Sequence, residues 1–230
     1  MQLTLCELSQ PANLSVESYS PFCLKTHRAL KAAKLPYARR FGAHPGVHKA
    51  VNPQQQVPVL LVDDTPIADS TGILQRIVEL VPGALNTSAE AWLWEELADT
   101  TVNGFVVASR WYDDRNWPAV KAAYFPDMPA PVRAVVPSLI RKRVLRGLHA
   151  RDVSRAGPQR CWERFEKLIA HLDDRAPKNG FWLGNDLSVA DVALFGQLQS
   201  LRLDLTPWQK SLIERADKLR AWLDRVDAAS

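Results

Sequence analysis

Val57-Pro58-Val59-Leu60-Leu61-Val62, then Asp63-Asp64-Thr65-Pro66, then Ile67-Ala68-Asp69-Ser70-Thr71 is the stretch that decides how this chain folds. A β-branched run, a turn-forming tetrad and a second short apolar run predict a hairpin. Asp69-Ser70-Thr71 supplies capping side chains ahead of Ile73, Leu74, Ile77 and Val78, whose spacing puts them on one helical face. The hairpin therefore runs straight into an amphipathic helix.

Upstream, Leu3, Leu5 and Leu8 suggest a strand, and Gln10 to Tyr19 reads as loop. Ser20 precedes Pro21, and a serine cap with proline at the first helical position is a strong start signal. Phe22, Leu24, Ala29, Leu30 and Ala33 follow at helical spacing until Pro36. A short strand is expected near Tyr37 to Phe41, then an irregular or briefly helical segment ending in Asn52-Pro53-Gln54-Gln55-Gln56. The order is β-α-β, irregular, β-β-α.

Downstream the composition changes at Val81-Pro82-Gly83-Ala84-Leu85-Asn86-Thr87, because all eight tryptophans lie between Trp92 and Trp222. The Pro-Gly pair punctuates the chain there. We expect an α/β domain over 1–81, a linker over 82–87 and an all-α domain over 88–230. Thr87-Ser88-Ala89-Glu90 reads as a capping box before a long pattern through Leu93, Leu97, Thr101, Phe105 and Ala108. Pro118, Pro126, Pro129 and Pro131 mark residues 116–131 as a connection. Helices are expected over 132–150 and from Pro158 to Ala176, a third after Ser188-Val189-Ala190-Asp191, and a final stretch from Thr206-Pro207.

The chain has 230 residues, 47% of them hydrophobic, with 29 Lys plus Arg against 25 Asp plus Glu for a net charge of +4. That composition excludes a disordered or fibrous protein. No apolar run approaches the roughly 20 residues of a membrane span, and the N-terminus has no basic flank with an apolar run, so a cytoplasmic protein is expected. Cys6, Cys23 and Cys161 are too scattered for a disulfide framework, and no histidine pair has zinc-ligand spacing, so no metal is expected. Asn13-Leu14-Ser15 and Asn86-Thr87-Ser88 match the glycosylation triplet by chance.

Ser20-Pro21-Phe22-Cys23 at a helix start, Val57-Pro58-Val59-Leu60, Asp69-Ser70 and Leu187-Ser188-Val189-Ala190-Asp191 occur in an order and spacing that resembles the cytosolic glutathione transferase superfamily. The resemblance covers nearly the whole chain. It implies a thioredoxin-like N-terminal domain followed by a helical bundle. Ser20-Pro21-Phe22-Cys23-Leu24-Lys25, Ile67-Ala68-Asp69-Ser70 and Arg146-Gly147-Leu148-His149 look closest to the metaxin and failed axon connections branch, a resemblance that also allows a non-catalytic interaction module that keeps the fold without turnover. The resemblance also implies glutathione as co-substrate, an unidentified small electrophile, a homodimer, and no nucleic-acid or membrane partner.

Two residues compete for the chemistry. A helix start gathers unpaired N–H groups and the positive end of the macrodipole, which together stabilise a thiolate. The Ser20 hydroxyl can donate to the sulfur of bound glutathione, or it can simply cap the helix. Cys23 stands where a two-cysteine oxidoreductase has its second, usually buried, cysteine, so it is either a packed structural residue or, if exposed in the first turn, the nucleophile of a one-thiol reductase chemistry with glutathione. By resemblance Val57-Pro58 is cis and Val57 pairs with the glutathione backbone, while Asp69 and Ser70 receive the γ-glutamyl carboxylate; Phe22, Gln56 and Pro58 complete the binding set. Many active relatives have Glu or Gln in place of Asp69 and Lys near Gln56.

Residues 133–155 carry seven Arg and Lys against Asp152, a net of +6 that leaves the rest of the chain at −2. Such a patch can be a solvated helix face, a nucleic-acid or anionic-membrane surface, or an organic-anion site. No aromatic residues interleave the charges as a base-stacking platform would require, so no nucleic-acid function is expected. Trp111 and Tyr112 fall near the end of the long helix, where relatives build a hydrophobic substrate pocket.

Overall fold

The computed structural model describes residues 1–8, 16–126, 128–150 and 153–230; Asn13-Leu14-Ser15, Arg151 and Asp152 lie outside them. β1 (Leu3–Leu8), α1 (Pro21–Ala32), β2 (Ala38–Gly42), a 3-10 turn (Pro45–His48), β3 (Val59–Val62), β4 (Thr65–Ala68) and α2 (Ser70–Leu80) form the first half. The sheet order is β2-β1-β3-β4, with β1 and β2 parallel and the other pairs antiparallel. Side chains alternate across the sheet as strand geometry requires. Leu3, Leu5, Leu60 and Val62 join Ile73, Leu74 and Ile77 of α2 and Ala29 and Leu30 of α1 in the main core, whereas Cys6, Val59 and Leu61 form a small cluster with Val51. Val57-Pro58 is cis, as expected.

The second half is helical: α3 (Ala89–Leu97), a wide π turn (Ala98–Val102), α4 (Asn103–Val107), a second π turn (Ala108–Tyr112), α5 (Trp117–Tyr124), α6 (Ala130–Ala150), α7 (Pro158–Arg175), α8 (Val189–Leu201), α9 (Pro207–Arg215) and α10 (Asp217–Ala229). The sheet with its α/β layering, followed by this helical region, is the architecture the sequence implies. Four local readings change. The first helix here is capped by Ser88, which accepts from the Ala91 N–H, rather than by Thr87. Its long apolar pattern continues through two π turns. Residues 117–124 of the expected connection are helical because Pro118 lies at the first turn, where its missing N–H costs nothing. The final stretch is two helices, divided at Ala216.

Residues 82–87 are pinned rather than free. Leu85 is buried, Asn86 N–H donates to the Leu187 carbonyl at 2.8 Å, and Val189 N–H returns a bond to the Asn86 carbonyl at 3.1 Å. The α8 cap beside them is a full box: Ser188 Oγ accepts from Asp191 N–H, and Asp191 Oδ2 accepts from Ser188 N–H at 2.9 Å. Asp191 Oδ1 also accepts from Trp182 N–H at 2.8 Å and Trp222 Nε1 at 2.9 Å, so one buried carboxylate joins the cap to α10. α8 is buried on every face except at Gln199, and it runs against α1 and α3 in the interior. No helix among the described residues is long and apolar enough to cross a membrane.

Candidate functional site

Strand register brings the sequence-predicted residues to one sheet edge. β3 runs antiparallel to β1 with Val59 opposite Cys6, so Val57-Pro58 lies at the carboxyl end of β1. Ala68 pairs with Val59, so β4 ends, and α2 begins, at that same edge. α1 returns from the carboxyl end of β1 towards Ala38, which pairs with Thr4 near its amino end. The starts of α1 and α2 and residue 57 therefore converge, at the carboxyl end of a central strand where open α/β sheets hold ligands.

Ser20 is half-buried and caps α1, its Oγ accepting from Cys23 N–H at 3.4 Å. Its own backbone N–H donates to Ser18 Oγ at 3.1 Å. Cys23 is fully buried, and burial, reinforced by the negative charge of Glu7, pushes its thiol up to about 12 against the opposing pull of the Ser20 and Ser18 hydroxyls and Arg39. A thiolate nucleophile at Cys23 is therefore disfavoured. Phe22 is half-buried beside it.

Val57 is half-exposed, and its backbone N–H and carbonyl have no hydrogen-bond partner among the described residues. Pro58 is buried behind it and the Gln56 side chain is exposed; the Gln56 carbonyl accepts from Asn52 Nδ2 at 3.0 Å, which fixes the approach to residue 57.

Asp69 caps α2, accepting from Gly72 N–H at 3.3 Å, with a φ of 76° that side chains other than glycine rarely adopt. Ser70 is only 2% exposed, and its Oγ accepts from Lys25 Nζ at 3.2 Å. This departs from an open hydroxyl awaiting a carboxylate. Lys25 is itself fully buried and also binds Thr71 Oγ1, Glu95 Oε1 and Asp99 Oδ2, the last at 2.6 Å. Gln197 Nε2 reaches Asp99 Oδ1 at 3.3 Å, so the cluster ties α1, α2, α3, the first π turn and α8 together. It holds two carboxylates against one ammonium, and burial raises the Asp99 pKa above the ordinary carboxylate value although Lys25 opposes it.

Arg110, on the second π turn, positions the Ser20 turn. One terminal nitrogen donates to the Tyr19 carbonyl at 2.7 Å and to the Tyr124 hydroxyl at 2.8 Å, and the other donates to the Ser200 carbonyl at 2.9 Å. From Tyr19 an aromatic series follows: Tyr19 to Tyr124 at 5.6 Å, Tyr124 to Trp111 at 5.7 Å, and Trp111 to Trp117 at 5.6 Å between centroids. Tyr112 and Trp117 line a cavity of about 680 Å³ against α6. Trp111 thus belongs to an aromatic series that starts beside Ser20, whereas the Tyr112 ring lies 6.4 Å from that of Trp162 and lines the cavity, which is not lined by Ser20, Val57 or Ser70.

Lys25, Glu95, Asp99 and Arg110 escaped sequence reasoning. The usable signal was a lysine on the apolar face of α1 together with acids spaced i,i+4 on the long helix. Among the described residues no cluster of His, Cys, Asp and Glu could hold a metal ion.

The sequence profile for the glutathione S-transferase N-terminal domain matches residues 21–116, and that for the glutathione S-transferase C-terminal domain matches residues 150–225. No curated protein matches the sequence. Among solved structures, the β-etherase LigF from Sphingobium sp. strain SYK-6 is 21% identical, with 99% of this chain and 96% of that one covered and a TM-score of 0.61. A glutathione transferase family member from Pseudomonas fluorescens pf-5, with two glutathione bound, is 15% identical over 99% and 92%, also at 0.61. Glutathione transferase Omega 3C from Trametes versicolor is 15% identical over 99% and 85%, at 0.59. These likenesses show a shared fold, and with the two domain profiles they place the chain: it belongs to the glutathione S-transferase superfamily.

Proposed function

We propose that this protein binds glutathione and activates its thiol for attack on a small electrophile. The carrying observation is the convergence of two helix starts with the unpaired backbone of Val57 at one sheet edge. In this reading Val57 N–H and C=O pair with the glutathione backbone as a one-residue strand addition. The amides at the start of α2, beyond Asp69, receive the γ-glutamyl carboxylate. The Ser20 hydroxyl donates to the sulfur while its oxygen still caps α1. One charge-assisted bond of roughly 1.5 to 3 kcal/mol lowers a thiol pKa by about one to two units, enough for mostly thiolate at neutral pH. The electrophile is held against the wall of Tyr19, Tyr124, Trp111 and Tyr112. A site between units 1–81 and 88–230, a homodimer and a cytoplasmic setting complete the reading, all taken from the superfamily. Burial of Cys23 argues against the one-cysteine reductase.

One observation favours a second reading, a non-catalytic interaction module. Ser70 is already engaged by Lys25, and the two carboxylates beside that ammonium oppose an incoming carboxylate. Calorimetric titration with glutathione, alongside conjugation assays on an electrophile panel, separates the two. Under the first reading glutathione binds at millimolar concentration or below. Ser20→Ala then keeps affinity within a few-fold but lowers conjugation ~10 to 100-fold, equivalent to about 1.4 to 2.7 kcal/mol. A folded protein that neither binds glutathione at millimolar concentration nor turns over any electrophile is the interaction module.

A further inference from the structure

Four side-chain oxygens share the ammonium of Lys25, which has only three protons to give: Ser70 Oγ at 3.2 Å, Thr71 Oγ1 at 3.3 Å, Asp99 Oδ2 at 2.6 Å and Glu95 Oε1. The two hydroxyls differ in where their own protons go. Thr71 Oγ1 donates to Glu95 Oε1 at 2.6 Å, so it is turned into the cluster. Ser70 Oγ accepts from Lys25, and its proton has no acceptor among the described residues. Because Ser70 is only 2% exposed, that proton is a buried donor left unmet, which native structures rarely leave without a reason.

The start of α2 supplies the reason. Ser70 and Thr71 open the helix, where backbone N–H groups have no intrahelical acceptor, and the Asp69 side chain caps only Gly72 N–H. The unmet hydroxyl thus stands beside two unmet amides at the positive end of α2. Lys25 sets the direction of that hydroxyl. An ammonium cannot accept, so a hydroxyl bonded to it must aim its own proton elsewhere, and accepting from a cation makes that proton a stronger donor. Lys25 is itself fixed, because Glu95 and Asp99 hold it from the helical half and Gln197 Nε2 holds Asp99 at 3.3 Å. We propose that Lys25 is a positioning residue for a ligand carboxylate at the start of α2: it keeps Ser70 Oγ as an acceptor on its inner side, so the Ser70 proton meets the carboxylate together with the Ser70 and Thr71 amides. This role rests on the glutathione reading, whose γ-glutamyl carboxylate is the ligand group, and Lys25 acts on it only through Ser70. Two carboxylates against one ammonium give no net attraction for an anion, so the ligand is held by directed donors. The contact between Lys25 and Ser70 then orients the hydroxyl rather than occupying it.

The test compares two ligands on the full chain by calorimetry, with melting followed alongside: glutathione, and γ-aminobutyryl-cysteinyl-glycine, which keeps the ammonium and the rest of the tripeptide but lacks the γ-glutamyl carboxylate. Wild type should prefer glutathione by about tenfold or more, the worth of one charge-assisted hydrogen bond. Lys25→Met with Asp99→Asn removes the ammonium together with one carboxylate, which keeps the charge balance of the cluster. That variant should lose the preference through weaker glutathione binding alone, whereas a merely structural role would weaken both ligands alike. Ser70→Ala should lose it too, and combining the two changes should reduce it no further, because they act as one unit. Thr71→Val should keep the preference, since that hydroxyl faces Glu95. If the Lys25 variant does not fold, Ser70→Ala and Thr71→Val decide, the first having to lose the preference and the second to keep it. A preference retained without Lys25 or without the Ser70 hydroxyl, equal weakening of both ligands, or its loss in Thr71→Val would each overturn the role of Lys25 and leave the glutathione reading standing. Wild type that binds no glutathione at millimolar concentration overturns that reading, and this role with it.

Discussion

Gly196 of α8 presses against Pro21 at the start of α1: a Cβ at residue 196 would sit 2.5 Å from the Pro21 carbonyl oxygen and 3.0 Å from Lys25 N. Both obstacles are backbone, so neither can rotate away. Gly196→Ala should cost about 1 to 3 kcal/mol in denaturant unfolding and, by displacing the Ser20 turn, lower any conjugation rate more than it lowers glutathione affinity. Wild-type stability in this variant would show that the helices are less closely packed than described.

All three cysteines are free and buried, and burial raises each thiol, Cys23 to about 12 and Cys161 to about 11. A small aromatic disulfide reagent at pH 8 should therefore react slowly with the native protein and release three equivalents at once in guanidinium. One fast equivalent in the native state, lost in Cys23→Ser, would restore the one-thiol reductase.

Asp99 gives a pH dependence of stated sign. Its folded pKa is raised by burial, so its contribution to stability is full below the unfolded value of about 3.9 and is lost as pH rises through the folded pKa. Asp99→Asn removes that loss and keeps an oxygen for Lys25. The stability of Asp99→Asn relative to wild type should improve as pH rises above about 4 and level off once the folded pKa is passed; a pH-independent difference would contradict the assignment.

Asp191 serves three segments at once. Truncation in Asp191→Ala leaves Ser188 N–H, Trp182 N–H and Trp222 Nε1 without their acceptor, and at ~1 to 3 kcal/mol per orphaned donor the loss should approach the whole stability of a domain this size. Asp191→Asn, which keeps one oxygen, should unfold at an intermediate denaturant concentration.

Sequence signals that are local in the chain were readable. Ser20-Pro21 and Ser188 to Asp191 announce helix starts because capping involves residues three apart, and the hairpin is written in consecutive residues. What pairs over long distances was not. Lys25 looks like any helical lysine until Glu95 and Asp99 are brought to it from the other half of the chain. Arg110 resembles a surface arginine until its turn is seen to reach Tyr19. Pro118 was read as a breaker because proline at a first turn and proline in a loop look the same without the packing of Val120 beneath it. The two π turns have no signature in residue spacing. At Cys23 the motif position left a reactive and a packed residue both open, and the apolar face it shares with Leu24 and Leu30 decides for burial.

The close apposition of α1 and α8 has a consequence for local opening. The amino end of α1 is held by Arg110 and Gly196, and its middle by Arg28, which stacks 4.8 Å over Phe195 and pairs with Asp227 at 2.9 Å. The turn carrying Ser20 therefore belongs to the same cooperative unit as the C-terminal helices rather than to the sheet it follows in sequence. Amide hydrogen exchange at the start of α1 should share its opening free energy with α8 and α10, and a substitution that loosens α10 should accelerate exchange at Leu24 before it does so at Leu60.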